Sequence, residues 1–294
     1  MANLKALRIR INSVRSTRKI TSAMKMVAAA KLRRAQETAE AARPYAERMS
    51  RMMGSLAKAL EGRADAPALL AGTGKDDVHL VVIVTSDRGL CGSFNVGVAR
   101  AARLKIAELR AAGKEVKILC VGRKGRDMLR RDYGKSVIDT VTGVEKGLGF
   151  NTAADIATTI SDLYAAGEFD VCWVVYNRFK SVMSQVVTWQ QLIPFSFEDT
   201  DESAADDLGG AVYIFEPDET EILEYLLPQN MGVQIFRSLL ESQASEHAAR
   251  MTAMDSATRN AGDMMDRLNT LYNRTRQAAI TTEITEIVSG AEAL

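Results

Sequence analysis

The sequence predicts an α+α/β protein in which a long antiparallel coiled coil of the N- and C-terminal helices carries an inserted Rossmann-like α/β domain. Three observations predict it. Apolar residues recur in alternating steps of three and four at both ends of the chain, which is the heptad signal of paired helices. The middle changes to short β-branched runs separated by amphipathic stretches, as strands alternating with helices would. Aromatic residues make up only 6% of the 294 residues while Met occurs 13 times, a balance that favours long helices over a large β sandwich. The boundaries that follow are 1–60 for the first helix, 76–217 for the α/β domain and 218–294 for the last helix.

The first helix has a seam running from Leu4, Leu7, Ile11 and Val14 through Arg18, Thr21, Lys25 and Ala28 to Met49, Met53 and Leu60. At its polar stretch the apolar positions move one place earlier, to Ile20, Met24 and Val27. A shifted stripe means that the helix changes the face it buries or meets a different partner there. Pro44 predicts a kink, because proline lacks an N–H and clashes with the preceding turn.

In the middle, strands are predicted at Val78–Val84, Val116–Val121, Val137–Val141, Phe169–Phe179, Gln185–Phe195 and Ala211–Phe215. Helices are predicted at Asn95–Ala112, Lys124–Tyr133 and Thr152–Ala166, with Asn95 as an N-cap. The order implies a mostly parallel sheet with one antiparallel hairpin. After Pro217, Thr220–Leu227 reads as one helical piece, Pro228 as a joint, and Gln229–Val288 as the last long helix. Its seam runs through Val233, Phe236 and Leu240 to His247, Met254, Leu268 and Tyr272. Both terminal seams are rich in Ala, Met and Thr, so they hold a pair less tightly per residue than Leu and Ile would.

Charge is unevenly placed. The net charge is +1, yet Met1 to Arg51 has thirteen Lys or Arg against three Glu, and Ser196 to Glu224 has eleven Asp or Glu and no Lys or Arg. The C-terminal helix, with six Arg against eight acids from Gln229 on, cannot neutralise the basic block. That block faces either solvent or an acidic protein partner; nucleic acid or an anionic membrane is a weaker reading, since no aromatics are interleaved and no base-reading motif is present.

Chemistry-bearing patterns are scarce. Cys91, Cys120 and Cys172 are far apart and make no CxxC pair, which points to buried thiols and away from a zinc site or disulfide framework. The loop Thr85–Asn95 follows a strand and opens a helix, the place where α/β domains hold phosphates. But Gly89-x-x-Gly92 is neither GxGxxG nor GxxxxGK[ST], so a tight turn is the better account. His79 and His247 lack a neighbouring acid and nucleophile at triad spacing. No metal and no cofactor are expected, and the chain does not read as a catalyst. No run of about 18 apolar residues crosses a bilayer, and the basic N-terminus lacks the apolar core of a secretion signal.

Three stretches resemble the gamma subunit of F-type, proton-translocating ATP synthases of bacterial type. They are Leu7–Gln36, above all Ile20 to Leu32; Ser86-Asp87-Arg88-Gly89-Leu90-Cys91-Gly92 with Asn95; and the stretch from Ser245 to the end, with Asn273-Arg274, Arg276-Gln277 and the string Ile280 to Ala291. The resemblance covers nearly the whole chain. It implies a central-stalk rotor, itself non-catalytic, that turns with a ring of c subunits, sits beside an epsilon subunit, and works inside a ring of alpha and beta subunits. It implies that Met24, Lys25 and Arg33 meet acidic loops of the beta subunits, and that Arg276, Gln277, Thr281 and Glu283 hydrogen-bond one beta subunit. Ile287 would belong to an apolar tip with Ile284, Val288, Ala291 and Leu294, while Tyr213, Glu216 and Asp218 would meet the c ring. Simpler roles stay open: Met24 as packing, Thr281 and Glu283 as supports of the last helical turns. It also implies a peripheral protein on the cytoplasmic face of the bacterial plasma membrane. The competing readings are a nucleotide-binding α/β enzyme using the Gly89–Gly92 loop, and a coiled coil that binds nucleic acid.

Overall fold

The computed structural model describes residues 4–59, 67–195 and 219–292. The elements in chain order are α1 (Leu4–Ala59), a helical turn α2 (Ala68–Ala71), β1 (Val78–Val84), α3 (Phe94–Ala111), β2 (Glu115–Val121), α4 (Arg123–Tyr133), β3 (Val137–Val141), α5 (Phe150–Ala165), β4 (Val171–Ser181), β5 (Ser184–Ile193) and α6 (Glu219–Glu292). By its internal contacts the chain falls into two compact units, Met1–Ala30 with Arg250–Leu294, and Lys31–Ala249. Both long helices contribute to both units.

The larger unit is built on a five-stranded sheet of order β3-β2-β1-β4-β5. Pairs β1–β2, β1–β4 and β2–β3 are parallel, and β4–β5 is the antiparallel hairpin. Alternation along the strands sends side chains to two covered faces. On one face Val81, Ile83, Ile118 and Cys120 pack with Val98, Ala102 and Ile106 of α3 and Leu129 of α4. On the other, Leu80, Val82, Leu119 and Val174 pack with Ile156 and Ile160 of α5, Met49 and Met53 of α1, and Leu223, Leu227, Met231 and Ile235 of α6. The seam expected to serve only a coiled coil therefore also closes the core of the sheet.

Two expectations are corrected. Pro228 is not a joint, because α6 runs unbroken through it. Leu223, Leu227, Met231 and Ile235, spaced by four, are all buried in one core, and that continuous face outweighs the lost hydrogen bond at an exposed proline. Asn95 is not the N-cap of α3, which begins one residue earlier. Its side chain is turned back into the preceding loop, as described below. Pro44 lies inside α1, and the helix continues past it, as the seam resumed beyond it implies. The strand expected at Ala211–Phe215 lies outside the described residues.

In the smaller unit the two helices pair antiparallel. Leu7, Ile11 and Leu268 are buried together against Val14 and Tyr272. The Arg8 guanidinium donates to the Tyr272 hydroxyl at 3.1 Å, Thr258 to the Thr21 hydroxyl at 2.8 Å, and Lys25 to the Asp255 carboxylate at 2.7 Å. In each pair the two residue numbers add to about 280, the register that antiparallel pairing requires.

Candidate partner-binding surfaces

The register fixes where the coil has an opposing strand. Residues past about 280 have no counterpart left on α1, and every residue from Ile280 to Ala291 is exposed. Ile280, Ile284, Ile287 and Val288 are among them. Their spacing of four, three and one puts them on one side of the helix. A helix keeps an apolar stripe in water only at a cost, and contiguous exposed stripes mark interaction sites.

The residues singled out from the sequence fall into three groups. Arg276, Gln277, Thr281, Glu283 and Ile287 all lie on this exposed end. The Thr281 hydroxyl donates to the Gln277 carbonyl at 2.9 Å, a bond along the helix that leaves the Gln277 side chain exposed. Met24, Lys25 and Arg33 lie on α1. Met24 is half-buried. Lys25 is held by Asp255, which also pairs with Arg259 at 3.0 Å. Arg33 is exposed and pairs with Glu37 at 3.0 Å on its own helix. Tyr213, Glu216 and Asp218 lie outside the described residues.

The shifted stripe on α1 now has a location. Thr21 and Ala28 on the regular seam are buried, whereas Ile20, Met26 and Val27 are exposed. The apolar positions thus did not move because the buried face rotated. They form an additional outward surface beside the basic residues. Asp255, Thr258 and Tyr272 were missed as partners of Lys25, Thr21 and Arg8. The signal for them was the polar seam itself, since Lys25 and Thr21 at inward positions demand polar groups opposite.

The Thr85–Asn95 loop is closed on itself. The Ser86 amide donates to Asn95 Oδ1 at 2.9 Å, Asn95 Nδ2 donates to Ser86 Oγ at 2.8 Å, and Ser86 Oγ donates to the Arg88 carbonyl at 2.6 Å. Asp87 receives the Arg123 amide at 2.9 Å and the Gly143 amide at 2.7 Å, which ties the loop to the turns after β2 and β3. Gly122 fits where nothing larger can: its φ is +99°, and a Cβ would lie 2.1 Å from the Thr85 carbonyl oxygen. The cavity beside this loop is about 30 Å³, against roughly 300–1,000 Å³ for ligand pockets. A nucleotide does not fit there.

A family model described as ATP synthase matches residues 3–294. The chain is 60% identical over 296 residues to the ATP synthase gamma chain of Parvibaculum lavamentivorans and 58% identical over 299 residues to that of Rhodospirillum rubrum, covering 100% of each chain in both cases. The chain belongs to the ATP synthase gamma chain family. A gamma chain is a non-catalytic stalk subunit. Its fold resembles a chain of the central stalk and c ring of the Tetrahymena thermophila mitochondrial ATP synthase, with TM-score 0.61 and 30% identity, covering 81% of this chain and 99% of that one. It also resembles a rotor chain of the Euglena gracilis mitochondrial enzyme, with TM-score 0.64 at 18% identity, covering 94% and 98%. Gamma chains are part of the membrane-associated enzyme, and among the described residues no helix is long and apolar enough to cross a membrane.

Proposed function

We infer that this chain is the central-stalk rotor of a proton-translocating ATP synthase, turned by a c ring and forcing conformational change on the beta subunits of a surrounding alpha–beta ring. The observation that carries the reading is the exposed apolar end of α6, which has no helix opposite it among the described residues. A shaft tip that turns in a sleeve formed by other chains needs such a surface. It must meet several equivalent stators in turn, so it presents side chains and not a fitted groove.

On this reading Ile284, Ile287 and Val288 bear on the sleeve, while Arg276, Gln277, Thr281 and Glu283 bond a loop of one beta subunit. The outward stripe of Ile20, Met26 and Val27, with Met24, Lys25 and Arg33 nearby in sequence, meets acidic loops of the beta subunits. The positive block of α1 supplies long-range attraction that one negative partner helix cannot cancel. Lys25 then plays two parts, holding Asp255 and presenting charge. Tyr213, Glu216 and Asp218 meet the c ring, next to an epsilon subunit, and the assembly lies on the cytoplasmic face of a bacterial plasma membrane.

Reconstitution tests this. Membranes depleted of the chain should regain proton-driven ATP synthesis when full-length chain is supplied, and should fail to regain it with a chain ending before Ile280. If the shortened chain restores synthesis as well as the full one, the tip is not the coupling surface.

A further inference from the structure

At the carboxyl ends of the parallel strands, the sheet brings one residue from the turn after β3 beside two from α6. Glu145, Glu246 and His247 have ligand atoms all within 4.8 Å of one another. Glu246 and His247 are buried at 4% and 3% exposure, and Glu145 is half-buried. We propose that these three side chains form a binding site for one divalent transition-metal ion of the Zn²⁺ class, which clamps α6 to the sheet.

The donor set is one imidazole and two carboxylates, which suits Zn²⁺ and its neighbours and leaves a fourth position for water. A dication placed among two carboxylates and an imidazole is attracted by both negative charges, the more so where one of them is almost out of water. A small cavity adjoins the cluster: about 30 Å³ against the Thr85–Asp87 loop, lined by Glu145 and Glu246 with Ser86, Asp87 and Ser242, while His247 lies outside its walls. That volume holds an ion or a water and nothing larger.

Glu145 is positioned, not free to wander. It sits in a single 3₁₀ turn, Val144–Lys146, whose preceding Gly143 donates its amide to Asp87. Asp87 is in turn fixed by the Arg123 amide. Glu246 and His247 each make a further interaction within the protein, so the ion joins an arrangement already built. The family's role for the chain does not call on such a site. Its use would be mechanical, since torque carried along α6 must be shared with the sheet, and a metal bridge adds a stiffer tie to the apolar packing and to the hydrogen bonds of Ser245 to the Asn177 carbonyl and of Gln190 to Gln234, both 2.9 Å.

The test uses the untagged full-length chain, stripped with a chelator. Calorimetric titration with Zn²⁺ should give saturable binding of one ion per chain, and Co²⁺ should give a visible d–d band. Glu145→Gln, a change at a half-exposed turn, should weaken Zn²⁺ at least about tenfold, as loss of one ligand does, with helical content unchanged. His247→Gln should remove the Co²⁺ band. Absence of saturable heat, or Zn²⁺ affinity in Glu145→Gln equal to that of the parent, overturns the proposal. Should His247→Gln fail to fold, the Glu145 variant decides alone. ATP synthesis in the reconstituted complex is read separately, so failure of the metal site and failure of the rotor assignment are distinguishable.

Discussion

Truncating Ile287 to Ala separates folding from assembly. Ile287 is 71% exposed in the chain, so less than a third of its surface is covered. Full burial of an isoleucine is worth roughly 1.5–3 kcal/mol, so the covered part is worth about 0.5–1 kcal/mol. Ala is the better helix former by a few tenths of a kcal/mol, which offsets part of that. The free chain should therefore lose at most about 1 kcal/mol, a shift of roughly 2–4 °C in melting temperature. If other chains cover the tip in the assembled enzyme, the same truncation there costs about 2–5 kcal/mol. The difference, at least about 1 kcal/mol, weakens assembly severalfold, and Ile284→Ala alongside it compounds the loss. Melting of the free chain by circular dichroism is compared with reconstituted ATP synthesis. A fall of 10 °C in the free chain with synthesis intact would refute the reasoning, since it would mean that the tip packs on its own chain.

Other outcomes follow from the packing. Gly122→Ala should cost at least about 3 kcal/mol, combining a left-handed backbone with overlap on the Thr85 carbonyl; a urea midpoint within error of the parent's would contradict this. Asp170 accepts the Val78 amide at 3.0 Å and the Thr73 hydroxyl at 2.8 Å, and these bonds, the Val78 amide first, hold its pKa below the ordinary 3.8. A depressed carboxyl stabilises the fold above its unfolded pKa and loses that contribution as pH falls through the folded value. Asp170→Asn should accordingly be less stable than the parent at neutral pH, with the gap closing below about pH 4; a gap constant down to acid unfolding would exclude the linkage. Burial pushes the Cys120 thiol up to about 12 and raises Cys172 further, so neither should react with an alkylating reagent at pH 8 until the chain is unfolded, as mass spectrometry of labelled peptides would record.

Much of the fold was legible because each element carries its own period. Val78–Val84 is apolar at every position apart from His79, and a strand covered on both faces is what it became. The heptads at the two ends announced a pair of helices and even their antiparallel sense. Three features were not legible, each for the same physical reason: a local signal was outvoted by a distant contact. Pro228 reads as a break until Leu223, Leu227, Met231 and Ile235 are seen buried in one core. Asn95 reads as a cap until Ser86, nine residues away, is found to need its side chain. Glu145 and His247 lie a hundred residues apart, and no spacing rule joins them.

The polar stretch of the α1 seam shows how structure and partner choice share one helix. Thr21 and Lys25 occupy inward positions where Leu would hold the coil more strongly, and the chain satisfies them with Thr258 and Asp255 on the opposing helix, while Arg18 on the same predicted seam is exposed. Such pairs add little stability at the surface, but they fix the register, because a slip by one turn would leave Lys25 without its acid. Register in turn decides which residues of α6 lie past the end of α1. Fixing Lys25 against Asp255 therefore sets how far the Ile280–Val288 surface extends beyond the coil. Moving the acid by one turn, with Asp255→Ala and Arg259→Asp together, should let the pair re-form only by sliding the helices, changing the length of unpaired tip. Coupled ATP synthesis should then fall while helical content holds, and retention of both would show that the register is set by the apolar cluster of Leu7, Ile11 and Leu268 and not by the polar pairs.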